Sequence, residues 1–323
     1  MKKISLFLLF LYMILPISVF AYSDYLLASG KNIGIELKAE HVIIIGSYKI
    51  NGYNVLKETN LQVGDKILKI NEYNITSIKD MQEIINKIDK NEVTLTYLRN
   101  NLQFKEKLTL HKENNEYKTG LYVRDTIRGV ATLTYIDIEN KTFGALGHEI
   151  IEKNTKSKFD SNDGIIFSST VTGITKSIDG NPGEKNARSN SNDIYGKVTE
   201  NTTSGIFGNY IDDIPNQKLY KVAKPEEIKQ GNAKILTVIE GAKVEEFNVN
   251  ILKINDTSNT KNILFEITDE NLLKKTGGIV QGMSGSPIIQ DDNIIGAVNF
   301  VLVDDTSKGY GIFITNMLEE AEN

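Results

Sequence analysis

The residues able to do chemistry cluster in Gln281-Gly282-Met283-Ser284-Gly285-Ser286-Pro287. A glycine two positions before a serine and another directly after it permit a tight, exposed turn. Gly282 can take a positive φ at no steric cost, so successive backbone N–H groups can face one point. A hydroxyl beside convergent amides is what acyl transfer needs: a nucleophile, and an oxyanion hole for the charge that develops on the attacked carbonyl. The next residues fit, because Pro287-Ile288-Ile289-Gln290, a turn at Asp291-Asp292-Asn293 and Ile294-Ile295-Gly296-Ala297-Val298 read as a hairpin leaving the loop. A plain Gly/Ser turn between strands is the competing reading; the proline, the hairpin and an upstream histidine favour chemistry.

A serine at its ordinary pKa is a poor nucleophile and needs a neighbouring base. The chain holds three histidines. His41 heads an expected strand and His111 ends another, which suits structural or solvent-exposed roles. His148 lies in Phe143-Gly144-Ala145-Leu146-Gly147-His148-Glu149-Ile150, where glycines and small residues let the backbone run close to a neighbour. By elimination and context His148 is the base, weighed against a satisfied core histidine. A third group must hold the other imidazole nitrogen and stabilise the imidazolium. Asp269 stands 15 residues before Ser284, yet it could equally N-cap a short helix through Glu270-Asn271-Leu272-Leu273 that Gly277-Gly278 would end. The residues alone do not separate these roles, and Asp160, Asp179 and Asp193 stay open as the acid. Phe300, on the strand after the hairpin, is a candidate lining of the specificity pocket.

Metal chemistry finds no support. His148-Glu149-Ile150-Ile151-Glu152 has a glutamate where a zinc-peptidase motif needs its second histidine. Asp160-Ser161-Asn162-Asp163-Gly164 is one residue short of a calcium loop and lacks the bidentate glutamate. No nucleotide-binding fingerprint occurs, and no cofactor is expected. A net charge of −5 without a basic block speaks against nucleic acid as a partner. The absence of cysteine excludes a thiol nucleophile and disulfide staples, so stability must come from core packing.

Met1-Lys2-Lys3 and the apolar run Ile4 to Ala21, ending Val19-Phe20-Ala21, read as an export signal, with a retained single-span anchor as the alternative. Either way the remainder lies outside the cytoplasm. Residues 30–110 form one unit: a strand at Val42-Ile43-Ile44-Ile45, a turn and strand over Asn60 to Asn71, and a helix begun by Ser77 with Asp80 at the reciprocal capping position. Ile78, Met81, Ile84, Ile85 and Ile88 make its apolar face, and Val93, Leu95 and Tyr97 a closing strand. The stretch around Leu61 to Asn71 with this helix resembles a PDZ domain. That resemblance implies a peptide added as an extra strand beside a glycine loop, here Gly34-Ile35-Glu36-Leu37, with a plain packing module as the alternative. Lys112 to Lys118 is a polar connector. Residues 118–323 alternate strands and turns, with Lys153 to Asp163 and Asp179 to Asp193 as polar surface loops, which suggests one barrel or a pair.

Gly282-Met283-Ser284-Gly285-Ser286-Pro287 is similar to the nucleophile loop of chymotrypsin-like proteases, and the histidine-before-serine order agrees. The whole chain resembles the SpoIVB peptidase family of endospore-forming bacteria. The resemblance rests on Phe143 to His148 and Thr276 to Pro287, with Gly120-Leu121-Tyr122-Val123-Arg124-Asp125 and Pro182-Gly183-Glu184-Lys185 in addition. It implies a mainly β fold, a chymotrypsin-like double β-barrel after an α/β PDZ domain. It also implies Ser284 as nucleophile, His148 as base, Asp269 as acid, and the Gly282 and Ser284 amides as oxyanion hole. As function it implies a sporulation endopeptidase between the two forespore membranes. Such an enzyme cuts its own amino-terminal segment and a membrane-bound regulator, and so releases processing of a late sigma factor. A non-catalytic PDZ adaptor on a degenerate peptidase fold is the alternative from another class.

Overall fold

A computed structural model of the chain describes residues 22–321, so the expected leader, residues 1–21, lies outside the described residues. Among the described residues no helix is long and apolar enough to cross a membrane. Strands dominate. They are β1 (Tyr25–Ala28), β2 (Asn32–Ser47), β3 (Lys66–Ile70), β4 (Glu92–Arg99), β5 (Leu102–Thr109), β6 (Leu121–Asp137), β7 (Thr142–Ala145), β8 (Ser161–Thr175), β9 (Glu184–Thr202), β10 (Gly205–Tyr210), β11 (Gly231–Thr237), β12 (Glu245–Ile254), β13 (Ile263–Ile267), β14 (Pro287–Gln290), β15 (Asn293–Val301) and β16 (Lys308–Phe313). Three helices matter below: α1 (Ile78–Lys87), α2 (Glu270–Thr276) and α3 (Ile314–Ala321).

Two strand rings surround separate cores. In the first, β6 pairs with β2, β2 with β8, β8 with β9, β9 with β10, β10 with β7 and β7 again with β6. Ile33, Ile35, Leu37, Leu133, Phe143 and Ile166 fill its interior. In the second, β11 pairs with β12, then β13, β16, β15, β14 and back to β11, all antiparallel. Phe247, Val249 and Ile251 of β12 are buried there, while Glu246, Asn248 and Asn250 between them face outward or lie half-exposed. That period of two is what a strand with one core face requires.

A third core holds Val42, Ile44, Ile67, Ile70, Met81, Ile85, Leu95 and Leu108, under the amphipathic helix α1. The expected unit at 30–110 therefore exists as a packed α/β module, but its boundary is different. The first part of β2 belongs to ring one, and only its end, from Val42, enters this module. The register breaks between the two parts: Ile43 faces Arg124 and Lys38 faces Thr126, so β2 spends five residues where β6 spends two.

This arrangement corrects the expected peptide-binding loop. Gly34 to Leu37 pairs with Val130 to Ile127 on one side and with Phe167 to Gly164 on the other. A peptide strand adds only to an unpaired edge, and this segment has none. Glu36 instead meets Arg128 on β6 at 2.6 Å. Within the small module, the edge of β2 next to α1 is filled by the chain itself: Leu121 to Arg124 pairs with Ser47 to Ile43. Asp125 Oδ2 then accepts from Ile78 N at 2.8 Å, placing a carboxylate at the N-terminus of α1.

The polar stretches expected as surface loops also differ. Asp179 to Asp193 is a turn followed by the first half of β9, and Lys153 to Asp163 is a short ribbon leading into β8. Over Arg188 to Asp193 the side chains are exposed with no buried alternate, so no period of two marks the strand.

Because β2 completes ring one and the small module together, a chain beginning at residue 48 is expected to show no cooperative thermal transition by circular dichroism. A chain beginning at Tyr22 is expected to show one. A cooperative transition in the shorter chain would prove that ring one closes without β2.

Candidate active site

The loop carrying Ser284 leaves α2, whose C-terminus is closed by Gly277 in the left-handed conformation (φ 72°). Its path is then fixed by the turn between β8 and β9, which reaches over from ring one. Ser177 Oγ donates to Ile279 O (2.6 Å) and accepts from Gly183 N (2.8 Å). Gln281 N donates to Gly183 O (2.8 Å), and Lys185 N donates to Gln281 O (2.9 Å).

These bonds set peptide planes. In a trans peptide the C=O and the following N–H point opposite ways. With Gln281 O held by Lys185 N, the Gly282 N–H turns away from β9. With Met283 O held by Ser286 N (2.9 Å), the Ser284 N–H turns out of the loop as well. Neither amide donates to an acceptor among the described residues. Two N–H groups without an acceptor thus flank the serine hydroxyl, an arrangement able to receive a developing oxyanion.

Gly282 has φ 94° and Gly285 φ 92°, both in the region that favours glycine. At Gly285 the need is also spatial: a Cβ there would lie 2.1 Å from Thr132 O and 2.5 Å from Leu146 N. This close passage presses the loop onto β6. Thr132 N donates to Ser284 O (3.0 Å), Thr132 Oγ1 to Gly282 O (2.8 Å) and Thr134 Oγ1 to Gly285 O (2.8 Å).

His148 comes from the other ring, three residues beyond β7. Leu146 (φ 74°) and Gly147 (φ 76°) bend the chain, and a Cβ at Gly147 would lie 3.3 Å from Val298 O. The His148 ring stacks on Phe300 with centroids 5.5 Å apart and planes at 19°. Ser284 Oγ donates to Asn299 O at 3.1 Å. Ser284 and His148 thus converge on the consecutive residues Asn299 and Phe300, although no hydrogen bond joins them to each other. His148 Nδ1 lies 2.9 Å from Glu149 O, and since a carbonyl only accepts, the proton of the neutral ring sits on Nδ1. Nε2 is left as the basic nitrogen. Burial lowers the His148 pKa below its ordinary value, against smaller upward pulls from the Glu149 carbonyl and carboxylate. Phe300 is 37% exposed beside this ring and lies under the Lys261 ammonium.

Asp269 is not brought to His148. Its Oδ1 accepts from Asn271 N and Leu272 N, both at 3.1 Å, as N-cap of α2, and its Oδ2 accepts from Asn248 N at 3.4 Å. The helix-capping alternative is therefore realised, with Gly277 ending the helix as read from the sequence. Among the other open acids, Asp179 accepts from Thr306 N (3.0 Å) and Asp160 pairs with Lys66 (2.6 Å).

Three residues escape sequence reasoning as site members. Thr132 is one polar residue of a buried strand, Asn299 sits inside β15, and Lys185 is one lysine among many. Lys185 is fully buried in the structure, its Nζ donating to Thr237 Oγ1 (3.0 Å) and Thr132 Oγ1 (3.4 Å), and desolvation pushes its pKa down to about 7. Only the Pro182-Gly183-Glu184-Lys185 motif draws notice to it.

Among solved structures, the chain is similar to the Rv3671c protease from M. tuberculosis in its active form, at 16% identity and TM-score 0.35 over 61% of this chain and 74% of that one. It is also similar to human heparin binding protein, at 11% identity and TM-score 0.28 over 56% and 73%. No curated protein matches. The family model described as SpoIVB peptidase S55 matches residues 115–318, which span both strand rings apart from β2, and on that match the chain belongs to the SpoIVB peptidase S55 family.

Proposed function

We propose that the protein is a serine endopeptidase working through an acyl-enzyme, with Ser284 as nucleophile and His148 as general base. The observation that carries this reading is the pair of outward amides, Gly282 N and Ser284 N, flanking a hydroxyl that shares the Asn299–Phe300 segment with a basic Nε2. The two closed rings, with the site between them, support a chymotrypsin-like double barrel, and the module under α1 supports a PDZ-like role. In keeping with the family, the enzyme acts in sporulation signalling outside the cytoplasm. There it cuts its own amino-terminal segment and a membrane-bound regulator, which leads to processing of a late sigma factor. A second reading, a non-catalytic adaptor, draws on the resting Ser284 hydroxyl, which is turned to Asn299 O and not to the imidazole.

An alkylfluorophosphonate distinguishes them. It is expected to label the wild type and Ser286→Ala, whose hydroxyl is buried, and to leave Ser284→Ala unlabelled. Amino-terminal sequencing of fragments from purified wild type, absent from Ser284→Ala, identifies self-cleavage. An unlabelled, folded wild type favours the adaptor.

Because burial favours the neutral imidazole, the base form persists to lower pH than that of a free histidine. The labelling rate is expected to rise with a midpoint below the ordinary value of 6.5. A midpoint above it excludes His148 in this environment as the base.

Asp269 enters the triad only if it leaves its helix cap, whereas the Glu149 carbonyl already orients Nδ1. Asn caps a helix about as well as Asp. Asp269→Asn is therefore expected to keep both its thermal midpoint and its labelling rate, while Asp269→Ala loses about 1 kcal/mol of stability. A loss on the order of 10⁴-fold in Asp269→Asn would show that the aspartate serves as the acid.

A further inference from the structure

Lys185 is a charge-bearing side chain buried without a carboxylate partner, and nothing in the reaction described so far uses it. Such burial is costly, and in a core held by packing alone an apolar residue of similar length would serve better. Its position is specific. Cβ, Cγ and Cδ of Lys185 lie 3.1–3.2 Å from where a Cβ on Gly282 would sit, so the stem runs along the floor of the nucleophile loop. Its backbone N–H holds Gln281 O, which turns the Gly282 amide outward. Its side chain reaches Thr132 Oγ1, which in turn donates to Gly282 O. One residue thus anchors the two consecutive peptides on either side of Gly282.

We infer that Lys185 is a positioning residue of the acyl-transfer site: its Nζ directs the Thr132 hydroxyl toward Gly282 O and so fixes the Gly282–Met283 peptide, the link between the two peptides whose Gly282 and Ser284 amides receive the oxyanion. The inference rests on the serine-peptidase reading. It follows from donor and acceptor counting. An ammonium has three donors and no acceptor, so Thr132 Oγ1 must accept from it and is left to give its own proton to Gly282 O. A neutral amine has a lone pair, and the Thr132 proton can then turn to Nζ and release the carbonyl. Around Lys185, β6 presents Thr132, β11 presents Thr237, the loop presents Gly282, and β8 places Ile174 opposite; none of these titrates or carries charge. Burial, with no charged group beside the ammonium, is what lowers its pKa to about 7.

The test is the rate of alkylfluorophosphonate labelling of Ser284 in the full-length protein across pH 5–10, for wild type, Lys185→Met, Thr132→Val and Thr132→Ser. Each protein's thermal midpoint is measured in parallel. At pH 6.5 Lys185→Met and Thr132→Val are expected to label at least tenfold more slowly than wild type while staying folded, since loss of one oxyanion donor costs about 10²–10³-fold. The double variant should be no slower than the slower single, because both act on one relay. Thr132→Ser keeps the hydroxyl and should label within threefold of wild type. The wild-type rate should decline above about pH 7, and Lys185→Met should lack that decline. A folded Lys185→Met with the wild-type rate, additive losses, or an alkaline decline that survives the substitution overturns the inference while leaving the peptidase reading intact. If Lys185→Met does not fold, an unchanged rate in Thr132→Val overturns it equally. A wild type that never labels removes both.

Discussion

The structure depends on a clamp between two rings. The nucleophile loop is covalently part of ring two, yet the groups that orient its peptides come from ring one: Thr132 and Thr134 from β6, and Ser177, Gly183 and Lys185 from the β8–β9 hairpin. Each of these bonds is buried or nearly so. There hydrogen bonds are stronger than in water, and an unpaired partner is expensive. The loop therefore has one low-energy path, and that path leaves only the Gly282 and Ser284 amides unspent. Preorganised donors of this kind need no rearrangement as charge develops, which is where their catalytic value lies.

The imidazole is placed by the same device from the opposite side. Ring one delivers His148 on a bend that only Leu146 and Gly147 at positive φ can make, and the ring settles on Phe300 of ring two. The Glu149 carbonyl gives the tautomer that frees Nε2, with no carboxylate hydrogen-bonded to the ring. Desolvation then keeps the imidazole neutral. A carbonyl orients as a carboxylate does but stabilises an imidazolium less, since it carries a dipole and no full charge.

Much of this was legible in the sequence, for reasons that differ by residue. Gly282-Met283-Ser284-Gly285 could be read because each glycine answers a local backbone demand, and the hairpin after it because Asp291 and Asp292 suit its positive-φ turn. The α2 cap and its glycine stop were local as well. What stayed hidden is non-local. Nothing in Gly34-Ile35-Glu36-Leu37 tells whether its edges are free; strands more than ninety residues away, at Arg128 and Ile165, occupy them. Polar β9 has no buried face over half its length, so hydrophobic period cannot reveal it. Lys185 is the sharpest case, because only the closed fold shows that a lysine side chain ends among threonines.

The break of register in β2 has a mechanical consequence. Between Lys38 and Ile43 the strand carries three residues more than its neighbour β6 provides partners for. Across that surplus β2 and β6 share no rung, and Ala39 pairs there with Ser161 of β8 instead. Tilting the α1 module about this point therefore breaks no rung between β2 and β6. What it strains are the bridges across the gap, among them Lys66 to Asp160, Asn154 to Ile45 O and Arg124 to the buried Glu152. Two continuous strands, β2 and β6, cross this seam and tie the α1 module to ring one, so neither body can part from the other without bending both.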